Sequence, residues 1–173
     1  MLRITIAIII SVVIITSCNN TSSSKNNTVT LTQINSLENE LFNSEVLTPD
    51  MIKARQLATL YIEYASIYPK DTLAPEFLFK ASDIYMNLSN PQKTISLFDE
   101  ILTNYPAYKN TPTILFLKGF VYEDQLNDYE NARICYQSFI EKYPESDFAD
   151  DAIVSLNNLG KSPEEMIKEF ETK

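Results

Sequence analysis

Residues 132–144 read ARICYQSFIEKYP, with Ala132, Tyr136, Phe139 and Pro144 as the positions that repeat elsewhere. The same ladder stands at Thr94, Phe98, Ile101 and Pro106 in TISLFDEILTNYP, and at Leu57, Tyr61, Tyr64 and Pro69 in LATLYIEYASIYP. The first three positions of each copy fall on one helical face. Each copy ends in a Tyr-Pro pair, and the tyrosines Tyr68, Tyr105 and Tyr143 lie 37 and 38 residues apart. Proline cannot continue a helix and pushes the residue before it out of helical geometry, so every pair is a stop signal. A period in this range means stacked supersecondary units.

Working outward, each ladder has a preceding helix. Pro75 opens one, with Leu78, Phe79, Ala81, Ser82 and Tyr85 inward. Thr111-Pro112 opens the next, where Leu115, Phe116, Gly119 and Tyr122 match Leu78, Phe79, Ser82 and Tyr85 at a spacing of 37. Small Ser82 and Gly119 mark close helix crossings. Asn90-Pro91 and Asn127-Asp128 start the ladder helices, and the second of these turns is one residue longer, which accounts for the 38. Toward the N-terminus, Leu31, Ile34, Leu37, Leu41 and Phe42 recur at helical spacing, with Thr30 and Gln33 as a capping box. Thr48-Pro49-Asp50 starts the helix that carries Ile52, Leu57, Leu60, Tyr61 and Tyr64. Toward the C-terminus, Ser146 caps a helix with Ala149, Ala152, Ile153 and Leu156 inward. Gly160 ends that helix, and Ser162-Pro163-Glu164-Glu165 opens a last one carrying Met166, Ile167 and Phe170.

Composition narrows the chemistry. The 173 residues are 45% hydrophobic and 21% charged, which is globular. With no histidine, the commonest general base and most zinc sites are missing, and two glycines are too few for phosphate-cradling loops. No catalytic residue, metal site or cofactor is expected. Acidic residues outnumber basic ones 23 to 14, so no basic stripe is available for nucleic acid.

The N-terminus reads as an address. Arg3 precedes an uncharged apolar run from Ile4 to Ile15, too short to span a bilayer and proportioned like a secretory leader. It ends in Ile15-Thr16-Ser17-Cys18, which resembles the bacterial lipobox. That resemblance implies lipidation of Cys18 and removal of residues 1–17. Asn19 to Thr28 is a polar run with one charge, Lys25, and residues 18–29 read as a flexible tether reaching about 15–20 Å. Asn19 after the cysteine, and no acidic cluster behind it, imply the periplasmic face of an outer membrane. Cys135, the other cysteine, reads as a half-buried structural thiol.

The remaining residues, 30–173, resemble tetratricopeptide repeats. Leu115, Gly119 and Tyr122, like Leu78, Ser82 and Tyr85, fill the first-helix places of that family, and Ala132, Tyr136, Phe139 and Pro144 fill the second-helix places. The ladder with Ser146, Ala149 and Ala152 is similar to the repeats of two envelope families: the helical-repeat lipoprotein of the β-barrel assembly machinery, and the Tol-associated cell-division coordinator. The resemblance implies an all-α, right-handed α-solenoid of about four antiparallel helix pairs. The first helix of each pair would line a groove, at Glu76, Phe79, Asp83 and Met86, then Thr113, Phe116, Phe120, Glu123 and Asp124, then Asp151. Aromatic anchors beside carboxylates suit a basic or amphipathic envelope protein or peptide.

The expected role is a lipid-anchored, non-enzymatic interaction scaffold of the cell envelope. Alternatives are a carboxylate-dependent glycan or cell-wall hydrolase using Asp83, Glu123 or Asp124, or a structural subunit docking by its convex face. Asp71-Thr72-Leu73 also resembles a bacterial O-glycosylation tripeptide.

Overall fold

A computed structural model describes residues 21–42 and 50–171. The leader, Cys18 and the Thr48-Pro49 pair lie outside these residues, as do the side chains of Thr30 and Phe170. The described residues form eight α-helices and no strand: α1 (Thr21–Phe42), α2 (Met51–Ile67), α3 (Leu73–Asn87), α4 (Pro91–Asn104), α5 (Thr111–Phe120), α6 (Tyr129–Lys142), α7 (Ala149–Asn158) and α8 (Pro163–Glu171). A π-helical turn, Val121–Gln125, extends α5. Consecutive helices from α1 to α7 pack on one another. This is a tetratricopeptide-like α-solenoid. α8 packs only sparsely on the rest.

The three Tyr-Pro stops adopt one geometry. Tyr68, Tyr105 and Tyr143 have φ of −123°, −131° and −133° with ψ of 58°, 54° and 53°, outside the helical region that the following proline disfavours. Each tyrosine N–H still donates to the carbonyl four residues back: Tyr64, Ile101 and Phe139, at 2.8–2.9 Å. The chain then reverses into the next helix.

The ladders face inward. Leu57, Tyr61, Tyr64, Thr94, Phe98, Ile101, Ala132, Tyr136 and Phe139 are all buried. One core runs from Ile34 to Val121, and a second gathers Leu115, Ala132, Tyr136, Phe139 and Ala152. Leu102 and Tyr122 pack against both, so the apolar interior is continuous along the array. Cys135 is buried within it, and burial pushes its thiol pKa up, so it is structural.

Several boundaries differ from the expected ones. α1 begins at Thr21, taking in residues expected as tether and starting ahead of the Thr30 cap; no glycine or proline between 21 and 42 stops it. α2 is capped by Asp50, whose carboxylate accepts from the N–H groups of Ile52 and Lys53 at 3.0 and 3.1 Å. α3 starts two residues before Pro75, which sits in the first turn where no intrahelical N–H is needed. Thr111 is the first residue of α5 rather than its cap, and its hydroxyl donates to the Tyr108 carbonyl at 2.6 Å. Ser146 lies in the turn before α7 and accepts from Phe148 N–H at 3.4 Å. The caps at Asn90 and Asp128 stand as expected, and Ser162 with Glu165 forms a reciprocal capping box at 2.8 and 3.2 Å.

Four apolar residues expected inside face solvent: Phe42, Ile52, Ile153 and Ile167. Ile52 stands five residues before Leu57, about 140° around the helix from the buried stripe, and Ile153 is about 100° from Ala152. Phe42 is the last residue of α1, and Ile167 lies on the sparsely packed α8.

The extra residue of the longer repeat lies in the π-helical turn. Asn90 N–H donates to Tyr85 O, five residues back, whereas Asp128 N–H donates to Tyr122 O, six back, at 2.9 and 2.8 Å. Ser89 and Asn127 precede the two caps with matching φ of 51° and 52°. The chain therefore returns to the same geometry on both sides of the insertion.

Both glycines have a backbone reason. Gly160 has φ of 77° at the end of α7. A Cβ on Gly119 would lie 2.7 Å from Tyr136 Cε1 and 2.9 Å from its Cδ1, so α5 and α6 cross there without room for a methyl group.

Two local clusters hold the first three helices. Glu38 on α1 accepts from the Tyr61 hydroxyl on α2 and from Lys80 Nζ on α3 at 2.8 Å, and the Lys80 ammonium lies 5.6 Å and 5.7 Å from the Tyr61 and Phe77 ring centres. Tyr64 donates to Asp71 Oδ2 at 2.8 Å. Burial alone would raise the Glu38 pKa, but the bonds from Lys80 and Tyr61 and the Lys80 charge outweigh it and hold the group below its ordinary value.

Two predictions follow from these contacts. Gly119→Ala gains about 1 kcal/mol of helix propensity but overpacks against Tyr136, a cost of about 1–3 kcal/mol; urea denaturation should show a net loss of about 1 kcal/mol. Because the Glu38 pKa is depressed on folding, its contribution is full above the ordinary carboxylate value of 4.5 and fades as pH falls through the folded value. Urea melts at about pH 7 should show Glu38→Gln less stable than the parent, and the gap should narrow as pH falls below 4.5.

Candidate partner-binding face

The expected face is built on α3, α5 with its π-helical turn, and α7. Its residues do not share one environment. Phe79 on α3 is half-buried against the core, and its ring meets Tyr108 edge-on at 6.4 Å. The Tyr108 hydroxyl donates to Glu76 Oε2 at 2.8 Å and accepts from Asn110 Nδ2 at 3.0 Å. Phe116 on α5 is also half-buried. It stacks on Phe148 at 5.1 Å and meets Tyr136 and Phe139 at 5.8 and 5.7 Å, so its ring joins α5, α6 and the turn before α7. These contacts give Phe79 and Phe116 a packing role that leaves only part of each ring for a partner.

Phe120 is different. It is 40% exposed at the end of α5. Met86, at the end of α3, is half-buried, and its carbonyl accepts from Gln125 Nε2 at 3.2 Å. That bond ties the C-terminal end of α3 to the π-helical turn of the next pair. The neighbouring pairs are thus held together at this end of α3.

The acids divide in the same way. Glu123 is half-buried in the π-helical turn and accepts from the Tyr136 hydroxyl at 2.7 Å. Burial, and then the Glu123 bond and charge, raise the Tyr136 pKa, so the tyrosine remains a neutral donor. Asp83 is exposed beside Asn87, whose amide nitrogen lies 3.4 Å from Asp83 Oδ1, and partial desolvation raises its pKa. Asp124 and Asp151 are exposed, and Thr113 is half-buried. Two acids, Glu76 and Glu123, are therefore held by tyrosines, while Asp83 and Asp124 face solvent on the helices that carry Met86 and Phe120.

As chemistry, this face offers an apolar ring and carboxylates in an open setting. It suits side chains that combine an apolar stem with a positive end. Of the acids considered for hydrolysis, Asp83 has a raised pKa, but it is exposed rather than set in an apolar pocket. Glu123 is committed to Tyr136 and Asp124 stands in solvent. Among the described residues, no group of histidine, cysteine or carboxylate side chains is placed to hold a metal ion.

Sequence reasoning missed Tyr108 and Gln125. A signal existed for the first: a tyrosine packed at the edge of a core needs an acceptor for its hydroxyl, and the chain is rich in acids. Which acid meets which tyrosine depends on residues far apart in the chain, as with Tyr108 and Glu76, and the periodic pattern carries no such information.

No curated protein matches the chain. The family of the tetratricopeptide repeat matches it twice, over residues 76–108 and 114–146. Each matched segment begins within the first helix of a pair, α3 or α5, and ends past the Tyr-Pro stop of the second, α4 or α6. Over these two segments the chain is similar to tetratricopeptide repeats.

Proposed function

We propose that this protein is a lipid-anchored helical-repeat scaffold that binds a protein partner in the bacterial cell envelope. The observation that carries the binding role is Phe120, an exposed aromatic ring at the end of α5, with the exposed carboxylate of Asp124 in the turn that extends the same helix and that of Asp83 on α3. An aromatic ring that a partner desolvates is a common source of binding energy. The chain also lacks histidine and has a formal net charge of −9. Both features favour a scaffold for basic or amphipathic segments over an enzyme or a nucleic-acid binder.

The anchor is argued from the leader. Ile15-Thr16-Ser17-Cys18 follows an apolar run of secretory length, and acylation at Cys18 with more than one chain gives stable membrane attachment. Asn19 in place of an acidic residue favours the outer membrane, on its periplasmic side.

A second reading rests on Ile134 and Tyr129, which are exposed on α6, the second helix of its pair. Docking through that side would leave the α3–α5 face unused.

Purification of the full chain from detergent-solubilised membranes should recover a defined envelope protein. Phe120→Ala should weaken that association about tenfold or more, as expected for an aromatic anchor. Asp83→Asn with Asp124→Asn should weaken it further at low salt than at high salt. Unchanged recovery in both, with loss on Ile134→Asp, would move the interface to α6. For the anchor, Cys18→Ala should abolish labelling by radioactive palmitate and release the chain into the soluble fraction; persistent labelling would refute it.

A further inference from the structure

The three turns that follow the Tyr-Pro stops are built alike, and one of them carries side chains that the turn does not require. In each, an N–H three residues after the tyrosine donates back to it: Asp71 to Tyr68, Tyr108 to Tyr105 and Ser146 to Tyr143, at 3.0, 2.9 and 3.0 Å. Three residues later the bend closes again, from Ala74 to Asp71, Thr111 to Tyr108 and Ala149 to Ser146, at 3.1, 3.0 and 2.9 Å. The two positions inside this second bend are Thr72-Leu73, Lys109-Asn110 and Asp147-Phe148. Polar, charged and aromatic residues all serve, so the bend itself does not select Thr72 and Leu73.

Asp71 has a local duty. Its carboxylate accepts from the Tyr64 hydroxyl at 2.8 Å and from Leu73 N–H at 2.9 Å. Threonine at a helix start normally spends its hydroxyl on a first-turn N–H. Thr72 makes no such bond: the Asp71 side chain has taken that place, and the Thr72 hydroxyl stands beside the Asp71 carboxylate on an exposed residue. Leu73 is 37% exposed, although it is the first residue of α3. The turn thus presents a pinned carboxylate, a hydroxyl and an apolar side chain in sequence, on backbone held at both ends. No other Asp or Glu in the chain is followed by Ser or Thr and then an aliphatic residue.

We propose that Thr72 is an O-glycosylation site, with Asp71 and Leu73 as the flanking residues that a glycosyltransferase reads. A sugar is bulky and strongly hydrated, which this solvent-facing turn tolerates and a packed helix face does not. In the transfer, Thr72 Oγ1 bonds to the anomeric carbon of a sugar activated as a phosphate or diphosphate ester. The bond from that carbon to the phosphate oxygen breaks, the phosphate leaves with the electron pair, and the hydroxyl proton passes to a base of the transferase. The inference shares with the proposed function only the export of the chain and is independent of the partner-binding face.

The full chain purified from its native cells should exceed the mass of its Thr72→Val variant by one or more sugar residues, beyond the side-chain difference. Peptide fragmentation should place the sugar on Thr72. Thr72→Ser should keep it, and Asp71→Asn, which still accepts from Tyr64, should lose most of it. Equal masses, a sugar at another residue, or full modification of Asp71→Asn would overturn the proposal. The N-terminal peptide separates the two readings: a chain acylated at Cys18 but bare at Thr72 overturns this inference alone. A chain that keeps its leader overturns the export on which both rest.

Discussion

A proline has no backbone N–H to give, and its ring crowds the residue before it out of helical geometry. Every other property of this array depends on that local conflict being placed at a regular interval. Tyr68, Tyr105 and Tyr143 stop their helices in one backbone conformation, and the turn after each closes with the same hydrogen bonds. No ladder is wide enough to form a closed interior by itself, and burial is completed only by the adjoining pair.

The aromatic content of the ladders carries a second requirement. Tyr61, Tyr64 and Tyr136 are buried, yet each has a hydroxyl that cannot be left without an acceptor. Glu38, Asp71 and Glu123 supply the acceptors, and Tyr108 uses Glu76 in the same manner. Part of the acidity of this chain is therefore structural, set at the edge of the core to receive tyrosine protons. That leaves fewer acids for recognition than the composition alone suggests, and it separates Asp83 and Asp124 from Glu76 and Glu123.

Local order was the readable part of the sequence. The ladder positions, the Tyr-Pro stops, the caps at Asn90 and Asp128, and the Ser162–Glu165 box are decided within a few residues, and periodicity or capping chemistry exposes them. Thr111 and Ser146 lie within two residues of the positions where their helices start, Asn110 and Phe148. At α2 the cap is the Asp50 carboxylate. Ile52 and Ile153 are apolar yet lie off the buried stripe of their helices, a difference of angle that apolar character alone does not carry. The face was legible only as a set of candidates. Phe116 and Phe120 are four residues apart on one helix, yet stacking on Phe148 buries much of one ring and leaves the other in water. That difference arises from the turn before α7, about thirty residues along the chain, and no local pattern encodes it.

The widened coil at Val121–Gln125 has a consequence for how such an array can change over time. An insertion in a rigid helix would rotate everything downstream by about 100° and turn the next apolar stripe away from its neighbour. Here the added residue is swallowed before Asn127, and α6 leaves in phase, as though nothing had been added. The joint therefore works as an expansion gap. Chain length can drift at the end of a first helix without disturbing the stacking that holds the molecule up.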